Sequence, residues 1–423
     1  MRVWFALLLT LVTAGGSAVA QGGGLPRARP AEVGLSAAAL DRIAPALQAY
    51  SDSAQLPGVL AVVARHGRLA YVGSVGSLSG GKPIELDQVF RIFSMTKPIT
   101  SAAAMQLYES GKLRLDDPVS KYVPAFAQVR VYAGGSAAQP ALREPDRAVR
   151  VSDLLTHTAG LTYGLFGNSP VDSIYMRAAL FGPGFSTASL VDSLAHLPLA
   201  FSPGSRWNYS FATDVLGRVV EVASGMRLDR YLDSALFQPL GMRTTGFHAT
   251  PQMDGHITSV YARGPDGNVQ AQTPLLMPDY APNAQLLSGG GGLLSTPADY
   301  LRFAQMLLNR GELDGKRVLK RETVDLMLRN QLPQEMLPIP IAPGWPPGRS
   351  GFSYAGAVRL DTDSAVPGSP GTFRWAGYGT TFFWIDPRAD LIAMVWTQYM
   401  PVMEHWGLDS RIQQLVYRAI SER

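Results

Sequence analysis

The stretch "RIFSMTKPIT", Arg91 to Thr100, decides how this chain is read. It holds Ser94 and Lys97 in the spacing S-x-x-K. A second match, Ser79 and Lys82 in "LSGGKPI", lies just upstream. Two fixed positions of common residue types recur by chance in a long chain, so the spacing alone decides nothing. Context separates the two. Ser79 and Lys82 flank Gly80-Gly81, and a flexible loop cannot hold two side chains in reacting geometry. Ser94 follows the strand-like "QVFRIF" and opens an apolar-periodic run, Ile99, Ala102, Ala103 and Leu107, which predicts a helix to about Gly111. Residues three apart share a helix face, so the Lys97 amine can reach the Ser94 hydroxyl. Backbone N–H groups at a helix start also favour a developing negative charge.

Upstream of this stretch, "GVLAVVARHGRLAYVGSVG" reads as two strands turning at His66-Gly67. Before it, Ser36 is placed to cap a helix through "AAALDRIAPALQAY". Downstream, residues from roughly 150 to 250 are mostly helical in pattern, beginning with "VSDLLTHTAG", where Gly160 is the expected stop. "SGGGGLLSTPADYLRFAQMLLNRGEL" is a glycine-rich loop feeding a helix, and Leu337 to Gly351 is too rich in Pro and Gly for regular structure. Three strand-like runs follow, then a helix with Leu408, Ile412, Leu415, Val416 and Ala419 on one face. Strands at both chain ends predict an antiparallel sheet built from both, with the helical region inserted: an α/β (α+β) fold. Residues 21–423 then form a single domain, with a sheet lobe from about 21–90 and 290–423 and a helical lobe from about 91–289. The cleft between lobes is the default place for a site.

Composition excludes several functions. Of 423 residues, 46% are hydrophobic and 17% charged, enough to bury one large core. The net charge of +4 is scattered rather than clustered, which argues against a nucleic-acid partner. There is no cysteine, so disulfides, thiol nucleophiles and thiolate zinc sites are out. At the N-terminus, Arg2 precedes an apolar Val3 to Ala14 and a small-x-small site, Ala18-Val19-Ala20. The apolar part is shorter than the ~20 residues that span a bilayer. Residues 1–20 are therefore expected to be a cleaved secretory signal, leaving an exported chain, periplasmic or secreted, with no membrane contact once cleaved.

A serine nucleophile needs a base. Of the six histidines, His157 sits at the end of a short helical pattern, where a structural role is expected, and no G-x-S-x-G accompanies any of them. Nothing resembles H-E-x-x-H, so no metal and no cofactor is expected. A lysine base must be neutral, which burial or a nearby cation can arrange.

Beyond S-x-x-K, the pieces "FSMTKPIT", "LDDPVSKYVPAF", "VSDLLTHTAGLTYG", "FSPGSRWNYSFATDVLGRVVEVASG", "PLGMRTTGF", "LSGGGGLLSTPADYLRFAQMLLN" and "WAGYGTTFFWIDP" occur in one order. Together they resemble the class C β-lactamase-like serine hydrolases, and among them the family VIII carboxylesterases. The resemblance implies a β-lactamase/penicillin-binding-protein-like fold. It implies Ser94 as nucleophile, Lys97 as its base and Tyr209 as the tyrosine of the Y-x-N element, with Phe211 where that element has Asn. Trp375-Ala376-Gly377 stands where lactamases carry K-T-G, and a tryptophan there is typical of the esterase branch. The backbone N–H groups of Ser94 and Tyr378 are the implied oxyanion hole, and Phe211, Trp375, Ala376 and Gly377 the implied substrate-binding residues. The implied partner is a small-molecule ester. A β-lactamase or D-Ala-D-Ala carboxypeptidase, an acyltransferase, and a non-catalytic sensor module on the same scaffold are the alternatives. Oligomeric state is not legible.

Overall fold

The computed structural model describes residues 24–54, 56–180, 184–273, 279–339, 341, 349–362 and 366–420. The expected signal, residues 1–20, and most of the Pro/Gly-rich stretch after Leu337 lie outside these residues.

Seven strands form one antiparallel sheet. In chain order they are β1 (Gly58–Arg65), β2 (Arg68–Gly76), β3 (Ser350–Phe352), β4 (Ala357–Arg359), β5 (Phe373–Gly377), β6 (Thr381–Asp386) and β7 (Leu391–Trp396). Their spatial order is β3-β4-β5-β6-β7-β1-β2, so the two chain ends meet where β1 pairs with β7, from Leu60 opposite Trp396 to Arg65 opposite Leu391. The β1–β2 hairpin turns at His66-Gly67, both with positive φ (52° and 69°), as a two-residue turn that matches strand twist requires.

β1 is a continuous apolar run because helices cover both faces of the sheet. Val59, Ala61 and Val63 face one layer, packed with α1 (Ile43–Ala54) and the C-terminal α6 (Gly407–Arg418). Leu60, Val62 and Ala64 face the other, against α2 (Thr96–Glu109) and α5 (Pro297–Leu308). α2 is buried nearly all round, which its run of Ala and Ile permits. Across it lies α4 (Ala212–Ser224), on which α3 (Val151–Thr156) packs in turn.

Two local expectations change. Ser94 does not open the α-helix itself: it sits in a 3-10 turn, Phe93–Met95, and α2 starts at Thr96. α3 ends at His157, which takes the left-handed conformation (φ 56°, ψ 35°), rather than at Gly160. Tertiary contacts hold His157 there: its buried ring packs on Tyr209, Trp207 and Phe352.

Candidate active site

The turn that carries Ser94 is fastened at both ends. Phe90–Arg91 pairs with Leu294–Ser295, the Ile92 N–H donates to the Leu293 carbonyl (3.1 Å), and the Thr96 hydroxyl receives the Leu293 N–H (3.2 Å). From the other side the end of β5 closes in. A Cβ on Gly377 would stand 2.4 Å from the Ile92 carbonyl oxygen, so only glycine lets the strand end reach the turn. Phe93 itself has φ 43°, a strained value for a bulky residue that these contacts enforce. Ser94 is left partly exposed at the surface of this junction.

Lys97, one turn on, is 2% exposed. Its Nζ lies 3.1 Å from Ser94 Oγ, 3.0 Å from the Tyr163 hydroxyl and 2.6 Å from the Gly290 carbonyl oxygen. It also stands over the Tyr209 ring, 4.6 Å from its centre. Burial lowers the lysine to about 7, with the Asp214 carboxylate pulling the other way. At that value the amine is neutral for a large fraction of molecules near neutral pH. A neutral amine has two N–H donors and one lone pair. The Gly290 carbonyl can only accept, so a hydroxyl must meet the lone pair, and Ser94 is in place to do so.

Tyr209 comes from the segment before α4, its hydroxyl directed at Ser94 and at the Trp375 indole, and burial holds it protonated well above the ordinary phenol range. Its ring packs edge-on against Trp375 (5.4 Å) and tilted on His157 (4.9 Å). Burial, with Lys97 nearby, keeps His157 neutral, and its Nδ1 accepts the Ser210 N–H (3.3 Å). Its place is behind Tyr209.

Of the residues expected at the site, Ser94, Lys97, Tyr209, Trp375 and Gly377 converge. Tyr378 follows directly on β5, its ring edge-on to Phe93 (6.3 Å). Two of the expected substrate contacts fall elsewhere. Successive strand residues face opposite sides, and the Ala376 side chain packs in the other layer with Phe382 and Trp384. Phe211 is 1% exposed and sits behind Tyr163, ring centres 4.5 Å apart, so it buttresses that tyrosine instead of lining the cleft. Ser79 and Lys82 form a turn in which the Lys82 N–H donates to the Ser79 carbonyl (3.3 Å), and the Lys82 side chain is exposed.

Sequence reasoning missed Tyr163, Gly290 and Asp214. Tyr163 lies in "LTYG", next to the conspicuous "HTAG", and Gly290 in the four-glycine run; neither residue type announces a role by itself. Beside the site, Phe166 is 47% exposed and its ring touches those of Tyr163 (6.0 Å) and Tyr209 (5.9 Å). It forms an apolar, solvent-facing margin beside these two tyrosines.

The chain matches the family described as Beta-lactamase over residues 43–417. It is 34% identical to Esterase EstB of Burkholderia gladioli over 400 residues, covering 86% of this chain and 94% of that protein. It is 35% identical to Protein Rv1367c of Mycobacterium tuberculosis over 370 residues, covering 86% and 90%. Among solved structures, "EstCE1, a hydrolase with promiscuous acyltransferase activity" superposes with a TM-score of 0.76 at 27% identity, covering 90% of this chain and 99% of that one. On that family match and those relatives, the chain belongs to the beta-lactamase family as a serine hydrolase of the family VIII esterase type.

Proposed function

We propose that the protein hydrolyses carboxylic esters through an acyl-enzyme on Ser94. The observation that carries this reading is the buried Lys97 amine, held between Ser94 Oγ, the Tyr163 hydroxyl and the Gly290 carbonyl. Ser94 passes its proton to neutral Lys97 as Oγ bonds to the ester carbonyl carbon. The oxyanion is received by the backbone N–H groups of Ser94 and Tyr378. Collapse breaks the carbon–alkoxide bond, and the alcohol leaves with a proton from the Lys97 ammonium or the Tyr209 hydroxyl. Water then attacks the acyl-enzyme, giving its proton to the same pair. The carboxylic acid departs and the Ser94 hydroxyl is restored.

Esters suit the walls of the site better than β-lactams do. A β-lactam carries a carboxylate beside the reacting amide, and Trp375 offers that carboxylate no charge. Phe166 provides exposed apolar surface for an acyl or alcohol group, and Trp375 backs the site from behind Tyr209. The ester relatives named above support the same choice. Transfer to an alcohol in place of water needs only a different acyl acceptor, and the exposed apolar margin at Phe166 favours one that is not water. The N-terminal pattern supports export, with a mature chain starting at or near Gln21, which mass spectrometry of the native protein would check.

The deciding experiment is a fluorophosphonate probe with peptide mapping, run beside a panel of esters, lactones, amides and β-lactams. Label on Ser94 and turnover of p-nitrophenyl butyrate are expected. Label elsewhere, or a panel led by β-lactams, would replace this reading.

A further inference from the structure

The four-glycine run is not a linker. Gly289 and Gly290 are buried between α2 and α4. A Cβ on Gly289 would stand 2.8 Å from the Thr213 carbonyl oxygen of α4 and 3.2 Å from the Thr100 side chain of α2. One on Gly290 would stand 2.3 Å from the Asp214 carboxylate. Polar bonds hold the turn from both helices. The Thr100 hydroxyl donates to the Gly289 carbonyl (2.8 Å). Asp214 Oδ1 receives the Gly290 N–H (3.1 Å) and the Ser288 hydroxyl (2.5 Å). The same Gly290 peptide unit then presents its carbonyl to Lys97 Nζ at 2.6 Å.

We propose that Asp214 is a positioning residue for Lys97: it clamps the Ser288–Gly290 turn so that the Gly290 carbonyl meets the amine, and its carboxylate is the counter-charge that keeps the lysine able to take a proton. A buried carboxylate is unfavourable unless hydrogen-bonded and paired. Here Asp214, on the first turn of α4 and 3% exposed, has two donors and a lysine beyond one peptide unit. An isolated lysine as buried as Lys97 would be held neutral and would make a poor acceptor for the Ser94 proton. An adjacent carboxylate stabilises the ammonium that forms after proton transfer. The other titratable groups that face Lys97 among the described residues are Tyr163, Tyr209 and His157. Burial keeps all three uncharged; burial also raises Asp214, but Lys97, the Ser288 hydroxyl and the Gly290 N–H all favour its ionised form, so Asp214 is the charge that tunes the lysine.

This inference rests on Lys97 acting as the base, so its test reads the lysine without needing turnover. The chain has six lysines, few enough to follow each by 13Cε-lysine NMR, with Lys97→Ala assigning the signal. In Asp214→Asn, which keeps the shape, the Lys97 titration midpoint should fall by on the order of one pH unit. The acid limb of kcat/KM should move down with it, and kcat should fall about tenfold at little change in KM. A folded Asp214→Asn with an unmoved Lys97 midpoint would overturn the proposal. If that variant does not fold, Ser288→Ala decides. Losing one donor makes Asp214 easier to protonate, so the Lys97 midpoint should drop by a smaller amount, and no drop overturns the proposal. A shifted midpoint in a protein that turns over no ester would remove the esterase reading and leave the Asp214 role standing. Ester turnover with no shift would do the reverse.

Discussion

Lys97 Nζ lies as close to the Tyr163 hydroxyl, 3.0 Å, as to the Ser94 hydroxyl, 3.1 Å. The lysine therefore belongs to a three-sided cage and not to a pair. Tyr163 is half-buried and its phenol is held protonated, by desolvation first and by Asp214 and Tyr209 in addition. It can orient the amine but cannot compete with it as a base.

Tyr163→Phe should keep the fold, since Phe211 and Phe166 still pack on the ring, and should lose one hydrogen bond to the amine. A bond of that kind contributes roughly 1–2 kcal/mol, so kcat should fall by about tenfold. Tyr209→Phe should fall further, because that hydroxyl faces Ser94 directly. Steady-state kinetics on the two variants check the order; an equal or reversed ranking would exchange their roles.

Ser94→Ala should abolish both hydrolysis and probe labelling, a loss of several orders of magnitude. Ser79→Ala should leave both within a few-fold of wild type, because the Ser79–Lys82 turn holds no side-chain pair. Intact-mass measurement of the labelled protein is the check.

The acid limb of kcat/KM should have its midpoint near 7. Lys97 is lowered to about 7, by burial above all, and it must be neutral to act, so activity rises as pH rises through that value. The linked stability has the same sign. Between about 7 and 10.5 the folded chain binds fewer protons at this site than the unfolded chain, so stability rises with pH across that window. Lys97→Arg keeps a cation but cannot deprotonate. It should lose at least the roughly 10²–10⁴-fold that a general base contributes. A profile with no limb near 7 would return the base role to another group.

p-Nitrophenyl butyrate should be turned over with a higher kcat/KM than nitrocefin. Arg374 cannot serve a β-lactam carboxylate: it lies on the far face of β5 and pairs with the buried Asp409 of α6. Arg349 is exposed on the chain leading into β3, where its N–H donates to Asp361 (3.1 Å). Measuring both substrates side by side, with Arg349→Ala as control, checks the claim. A nitrocefin constant at or above the ester's would contradict it.

Gly377→Ala should cost both stability and activity. Its Cβ would stand 2.4 Å from the Ile92 carbonyl oxygen and 2.4 Å from Thr381 Oγ1, and the first is backbone that cannot step aside cheaply. Overpacking of this kind costs about 1–3 kcal/mol, a fall of several degrees in melting temperature. The turn that carries Ser94 is what gets pushed, so kcat should fall as well. A melt and a rate on the same sample would show whether the two losses come together.

Local pattern determined a good deal about this protein. Short continuous apolar runs located the sheet strands at both ends, and period-3.6 apolar runs the helices between them, because burial of a strand or of a helix face is a property of neighbouring residues. The S-x-x-K of Ser94 and Lys97 was legible for the same reason: three residues along one helical turn bring two side chains together whatever the rest of the chain does. Strand alternation by itself puts Trp375 and Arg374 on opposite faces, and the same alternation removes Ala376 from the cleft. What tertiary structure decided is everything that surrounds the lysine amine. Its burial, the Tyr163 hydroxyl, the Gly290 carbonyl and the Asp214 carboxylate arrive from three other segments of the chain. Each is an ordinary residue in its own neighbourhood, and Phe211 reads as a cleft residue until Tyr163 is seen in front of it. A pKa depends on how much water is excluded and on which charges lie within a few ångströms, and those are distances between segments that no local spacing contains.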